Sequence, residues 1–110
     1  MGSYLKFDGE EINSKSISYP MADIIRTVVP ATENGNHDFM LSKEDLCLLI
    51  ESTRHGLMNY NDEELKEWEI FKGEKTTDIR AVLNIIDTTF VLALVKMVRY
   101  DINKIIAEWQ

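Results

Sequence analysis

Apolar and polar positions follow a helical period over most of the chain, and the longest such run lies toward the C-terminus. Ile79, Val82, Leu83, Ile86, Phe90, Ala93, Leu94, Met97 and Tyr100 recur at steps of three and four. At 100° per residue they fall in one stripe, as a helix packed on a core requires. Thr76 or Thr77 can cap the start, and Asp78 in the first turn suits the positive helix end. A second apolar row begins halfway along, with Val91, Val95 and Val98, then Ile102, Ile105, Ile106 and Trp109. In a continuous helix this row lies roughly 120° around from the first.

A single helix from Thr77 to Trp109 would be about 50 Å long, against a radius of gyration of about 13 Å for a compact chain of this size. The pattern therefore predicts a break near Tyr100-Asp101, with Asp101 capping a short final helix. The alternative is a projecting helix whose Val95, Val98, Ile102 and Trp109 form a homodimer interface. A membrane span is not expected, because Arg80, Asp87, Lys96, Arg99 and Asp101 interrupt the run.

Upstream, the alternation from Tyr4 to Ile12 around Asp8-Gly9 predicts a two-residue β-hairpin. Its register pairs Phe7 with Glu10, Lys6 with Glu11 and Leu5 with Ile12. A lone hairpin is marginal, so a third strand is expected from Ser16 to Tyr19 or from Phe39 to Leu41. Pro20 suits a first helical position, and Met21, Ile24, Ile25, Val28 and Val29 then give a short amphipathic helix stopped by Pro30. Ala31 to Asp38, with Asn34-Gly35, reads as a loop. Ser42 can cap the next helix, whose Leu46, Leu49, Ile50 and Thr53 face the core, with Leu41 stapled onto Leu46 and Gly56 as terminator. Asn61 opens a helix over Asp62 to Lys72 that Gly73 ends, with Leu65, Trp68 and Phe71 or Lys72 on its apolar side. The expectation is one mainly α (α+β) domain over residues 1–110. Four to five helices surround a central C-terminal helix, with an N-terminal hairpin or small antiparallel sheet over residues 1–19.

Charge then narrows the partners. Asp and Glu total 19 against 12 Lys and Arg, a net charge of −7. Phosphate backbones are held by Lys and Arg, so direct nucleic-acid binding is not expected. A basic protein partner is compatible, since complementary charge speeds association. The one cysteine, Cys47, cannot form an internal disulfide, which suggests a reducing, cytoplasmic setting. No signal-peptide segment is read at the N-terminus.

Few residues suggest chemistry. Glu51 and His55, four apart, are a candidate metal or ion pair, but zinc needs three or four ligands and the only other histidine is His37. Cys47 lacks any accompanying oxyanion loop, and no phosphate loop or dinucleotide fingerprint is present. No metal and no cofactor are therefore expected. Asp87, at the edge of the buried stripe near Asn84, Thr88 and Thr89, is a possible ligand anchor or general base. More often such a residue is a structural carboxylate bonded to a neighbouring hairpin or loop. The acidic run Asp62, Glu63, Glu64, Glu67, Glu69 and Glu74 stands against Lys66, Lys72 and Lys75, and Trp68 lies within it. Tryptophan ringed by charge has the composition of a binding hot spot.

The sequence thus predicts a non-enzymatic protein that occludes a basic site on a partner through Asp62, Glu63, Glu64, Glu67 and Trp68. Immunity proteins, antitoxins and nuclease inhibitors share this character of short, acidic, cysteine-poor chains. The alternatives are a homodimeric helical regulator or scaffold, and an enzyme or small-molecule binder around Asp87.

Overall fold

Turn chemistry sets the first element. A computed structural model describes residues 4–8, 10–11, 15–71 and 78–109, and in it β1 (Leu5–Phe7) and β2 (Glu10–Glu11) form an antiparallel hairpin. Asp8 takes a positive φ of 54°, the conformation that a two-residue turn demands. The register is Phe7 with Glu10 and Lys6 with Glu11, as the Asp-Gly turn dictates. The expected Leu5–Ile12 pair lies outside the described residues.

Among the described residues four α-helices follow the hairpin: α1 (Lys15–Val28), α2 (Lys43–Asn59), α3 (Asp62–Glu67) and α4 (Ile79–Arg99). Single 3-10 turns lie at Pro30–Thr32 and Glu69–Phe71, and β3 (Phe39–Leu41) and β4 (Ile105–Trp109) complete the fold. The architecture is mainly α with a small antiparallel sheet, in the strand order β2-β1-β4-β3.

Two local expectations are corrected here. Pro20 does not start α1 but lies inside it, and Ser16 to Tyr19 is helical instead of extended. Tertiary contacts hold this extra turn. Ser18 is buried and its Oγ accepts the Leu5 N–H at 3.1 Å, tying α1 to β1, while Met21, Ala22, Ile24 and Ile25 pack at 0 % exposure. The cost of an interior proline, about 3 kcal/mol or more, is offset by that burial.

The second correction is larger. The C-terminal tail is not a short helix but β4, the strand between β1 and β3. Leu5 pairs with Trp109 and Phe7 with Ala107 on one side; Phe39 pairs with Ala107 and Leu41 with Ile105 on the other. Phe39 to Leu41 is thus a strand, as one option had it, but it pairs with the chain end and not with the hairpin. The tail alternates, with Ile105 and Ala107 buried and Ile106 and Glu108 half-buried. Five residues are too few for a self-supporting helix, whereas a central strand satisfies backbone groups on both edges.

The break before β4 falls where expected, at Tyr100-Asp101. Asp101 has a φ of 51°, and the Ile102 N–H reaches back to the Met97 carbonyl at 2.9 Å. This is a Schellman-type end with aspartate in the left-handed position that glycine usually takes. Ile102 packs on the core beside it.

α4 is the central helix. Ile79, Val82, Leu83, Ile86, Phe90, Ala93 and Met97 are buried along the predicted stripe, and Phe90 meets Phe7 edge-on with ring centroids 6.0 Å apart. Asp78 is the N-cap, its carboxylate accepting the Ala81 N–H at 3.0 Å; Thr76 and Thr77 lie outside the described residues. Tyr100, expected on the stripe, is exposed, with the Arg99 guanidinium carbon 5.6 Å from its ring centroid. α2 runs antiparallel to α4, as Arg80 contacts Tyr60, Asp87 contacts Arg54, and Asp101 lies 4.0 Å from Lys43. Ser42 and Asp45 close a reciprocal capping box at the start of α2.

Candidate functional site

The acidic segment is built by two caps and one glycine. Asn61 Oδ1 accepts the Glu64 N–H at 2.9 Å, and Glu64 Oε1 accepts the Asn61 N–H at 3.1 Å, a second capping box. This starts α3, which ends at Glu67 and not at Lys72 as expected. Trp68 leaves the helix with extended dihedrals, φ −62° and ψ 128°. Its ring lies on Gly56, where a Cβ would come within 2.9 Å of Trp68 Cζ3. Gly56 therefore does not terminate α2, which continues to Asn59; it is buried and leaves room for the indole.

Arg80 fixes the corner that carries the site. Its guanidinium donates to the Leu57 and Tyr60 carbonyls, both at 2.7 Å, and to Asp62 at 3.1 Å. A last-turn carbonyl of α2, Leu57, and that of its C-cap residue, Tyr60, are thus satisfied from α4. Tyr60, joining α2 to α3, is held against Trp68 at a centroid distance of 6.0 Å and an interplanar angle of 83°. Trp68 also meets Phe71, and His55 packs edge-on to Tyr60.

The result is a broad hollow of about 490 Å³ lined by Tyr60, Glu63, Glu64, Glu67 and Trp68. Four of the five residues singled out from the sequence are thus brought together. Asp62, the fifth, faces Arg80 and lines a separate recess of about 110 Å³ with Leu65, Lys66, Asp78 and Ile79. Within the hollow the carboxylates differ in freedom. Glu64 is engaged by its cap, Glu63 lies 3.7 Å from Lys66, and Glu67 has no ion pair among the described residues. Trp68 is half-buried and packs partly on the core, so it is both a lid over Leu65 and Phe71 and a wall of the hollow. Sequence reading missed Tyr60; an aromatic directly before a helix-capping Asn was the available signal. Glu74, Lys72 and Lys75 lie outside the described residues, as does the Glu69 side chain.

The other candidates are placed elsewhere. Asp87 is held by Arg54 of α2 through both oxygens, at 3.0 and 3.4 Å, a structural clamp between two helices. Glu51 and His55 are exposed and form no ion pair among the described residues; His55 turns to Asn59 and Tyr60. No group of three potential metal ligands occurs among the described residues. Cys47 is exposed. The proposed dimer stripe is divided. Val95 and Val98 stand exposed on α4, Ile102 belongs to the turn, and Trp109 is in β4, stacked at 5.3 Å on Tyr19.

One further titratable cluster ties the Ala31–Asp38 loop to the body. Glu33 accepts from Arg26 Nε at 2.8 Å and lies 3.1 Å from His37 Nδ1, while Arg26 also covers the Phe39 ring. The Arg26 hydrogen bond holds the Glu33 carboxyl below its ordinary range; partial burial opposes this and His37 adds to it. Asn34 organises the turn itself, its Oδ1 accepting from Asn36 and Asp38.

Comparisons with protein-family models, with curated proteins and with solved structures give no match.

Proposed function

We propose that this chain is a small, acidic, non-enzymatic binding protein that occludes a basic site on a partner protein. Its mode of action is that of immunity proteins, antitoxins and nuclease inhibitors, and its setting is cytoplasmic. The observation that supports this is the hollow in which Tyr60 and Trp68 meet Glu63, Glu64 and Glu67. An arginine or lysine entering it finds two aromatic rings for its stem and cation, and for its head Glu67, which has no ion pair among the described residues. Carboxylates facing a partner's phosphate-binding cations block that site by occupying it. The net charge of −7 adds steering toward a basic surface.

The test is kinetic. A stoichiometric basic partner captured from the native host is immobilised, and the association and dissociation rates are read at low and high salt. Glu63→Lys with Glu67→Lys lowers the association rate and its salt dependence; Glu64 is left intact because it caps α3. Trp68→Phe speeds dissociation instead. Unchanged association of the charge-reversed variant at low salt would remove the hollow from the interface.

A further inference from the structure

The Ala31–Asp38 loop carries the one asparagine of the chain that is followed by glycine, Asn34-Gly35. Its own side chain ties the turn together. Asn34 Oδ1 accepts the Asn36 N–H at 2.8 Å and the Asp38 N–H at 3.1 Å. The backbone closes the same turn: the Asn34 N–H donates to the Asp38 carbonyl at 2.9 Å, and the His37 N–H donates to the Asn34 carbonyl at 3.1 Å. Two groups are left over. Asn34 Nδ2 and the Gly35 N–H make no hydrogen bond among the described residues, and both residues are exposed.

Nothing in the fold asks for a glycine at Gly35. The left-handed residue of this turn is His37, with a φ of 64°, and not Gly35. Beyond its chain neighbours no atom stands within 4 Å of the place a Cβ would take there. A glycine that neither space nor φ requires has one chemical property left. Without a Cβ, its amide nitrogen is the least hindered nucleophile a backbone can offer. The carbon it attacks is Asn34 Cγ, since that bond closes a five-membered ring. The two N–H groups on Oδ1 draw electrons from this carbon. They also stand where negative charge develops as it becomes tetrahedral, which is the arrangement of an oxyanion hole.

We propose that Asn34 is a self-modification site, whose turn promotes its conversion through a cyclic imide to aspartate and isoaspartate. The Gly35 amide proton passes to hydroxide, and the nitrogen bonds to Asn34 Cγ. The Cγ–Nδ2 bond breaks, and Nδ2 takes a proton from water and leaves as ammonia. Water then opens the ring. Cleavage of the new bond to Cγ gives aspartate, and cleavage of the original peptide bond gives isoaspartate. Each product adds one negative charge to the −7 of the chain. Aspartate keeps an oxygen for the Asn36 and Asp38 N–H groups, so the turn stays. Isoaspartate lengthens the main chain by one carbon. That disrupts the Asn34–Asp38 hydrogen bond and the Glu33–Phe39 bridge beside it, and loosens Glu33 from Arg26. The reaction uses no residue of the acidic hollow and stands whether or not that hollow binds a partner.

Peptide mass spectrometry of the full chain, incubated at mildly alkaline pH either folded or unfolded in urea, tests this. Aspartate and isoaspartate should both appear at position 34 before any other asparagine changes. The reaction should run roughly tenfold faster folded than unfolded, the worth of two exposed hydrogen bonds to a developing oxyanion. Gly35→Ala should fold without a lowered melting temperature, since its Cβ meets nothing, and should nearly abolish the reaction. An Asn34 that reacts as fast or faster in urea overturns the proposal, because the folded turn then gives no assistance. Aspartate without isoaspartate means direct hydrolysis by water and overturns it too. So does Gly35→Ala reacting at the wild-type rate.

Discussion

Replacing Arg80 with alanine removes the joint between three helices, and its cost follows from the contacts. Two guanidinium N–H groups donate to the Leu57 and Tyr60 carbonyls at 2.7 Å. Hydrogen bonds to charged groups are worth about 1.5–3 kcal/mol each, but the side chain is 36 % exposed, so about 1 kcal/mol apiece is the fitting value. A cation at the negative end of α2 adds about 0.3–1 kcal/mol. The Asp62 pair adds little, because that carboxylate is 77 % exposed and solvent screens it. Arg80→Ala should therefore cost about 2–3 kcal/mol in a urea titration, with an unchanged slope. Arg80→Lys should recover about half, since an ammonium lacks the planar fork that spans two carbonyls. Asp62→Asn should cost under about 0.5 kcal/mol. The same loss frees Tyr60, so the Trp68 emission should shift in Arg80→Ala while the fold is intact. A cost below about 0.5 kcal/mol, or an Asp62→Asn cost equal to that of Arg80→Ala, would refute the assignment of the two carbonyl bonds as the main contribution.

Three further outcomes can be measured with the same protein. Gly56→Ala should destabilise, because the new Cβ meets the Trp68 ring at 2.9 Å and the overpacking, about 1–3 kcal/mol, exceeds the ~1 kcal/mol that alanine gains inside a helix; a stabilised variant would show that the indole slides away freely. Asp101→Gly should raise stability by about 0.5–1 kcal/mol, since it relieves the left-handed backbone and removes a negative charge from a helix C-terminus; a lowered melting temperature contradicts this. Glu33 has a folded-state pKa below its ordinary value of 4.5, so its stabilisation is fully present above that value and is lost as pH falls through the depressed one. Glu33→Gln should accordingly flatten the acid limb of the melting-temperature curve, and parallel curves for the two proteins would argue against the Arg26 contact.

Local chemistry was legible in the sequence wherever a few neighbouring residues decide the conformation. The Asp-Gly turn set the register of β1 and β2, Asn61 announced the start of α3, and the three–four spacing from Ile79 to Met97 named the buried side of α4. These are short-range effects, in which hydrogen-bond partners and side-chain period lie within a turn of one another. The bond pair Ser42–Asp45 belongs to the same class.

Tertiary structure decided the rest. An apolar run such as Ile105–Trp109 has no period that separates strand from helix; it became β4 because β1, about a hundred residues away in sequence, offered an edge on one side and β3 on the other. Pro20 lies inside α1 because Ser18 and the buried face beyond it are held by other elements. Gly56 looked like a helix end, and only the indole of Trp68 resting on it explains a glycine there. The candidate site divides along the same line. Its acids and its tryptophan could be named from composition, but Tyr60 joined them, and Asp62 left them, through Arg80, a residue of another helix. Sequence by itself determined where α2 and α3 begin and which side of α4 is apolar, because those depend on neighbours along the chain. Which segments meet, and hence what the hollow contains, depends on contacts between distant parts, and only the folded structure decided that.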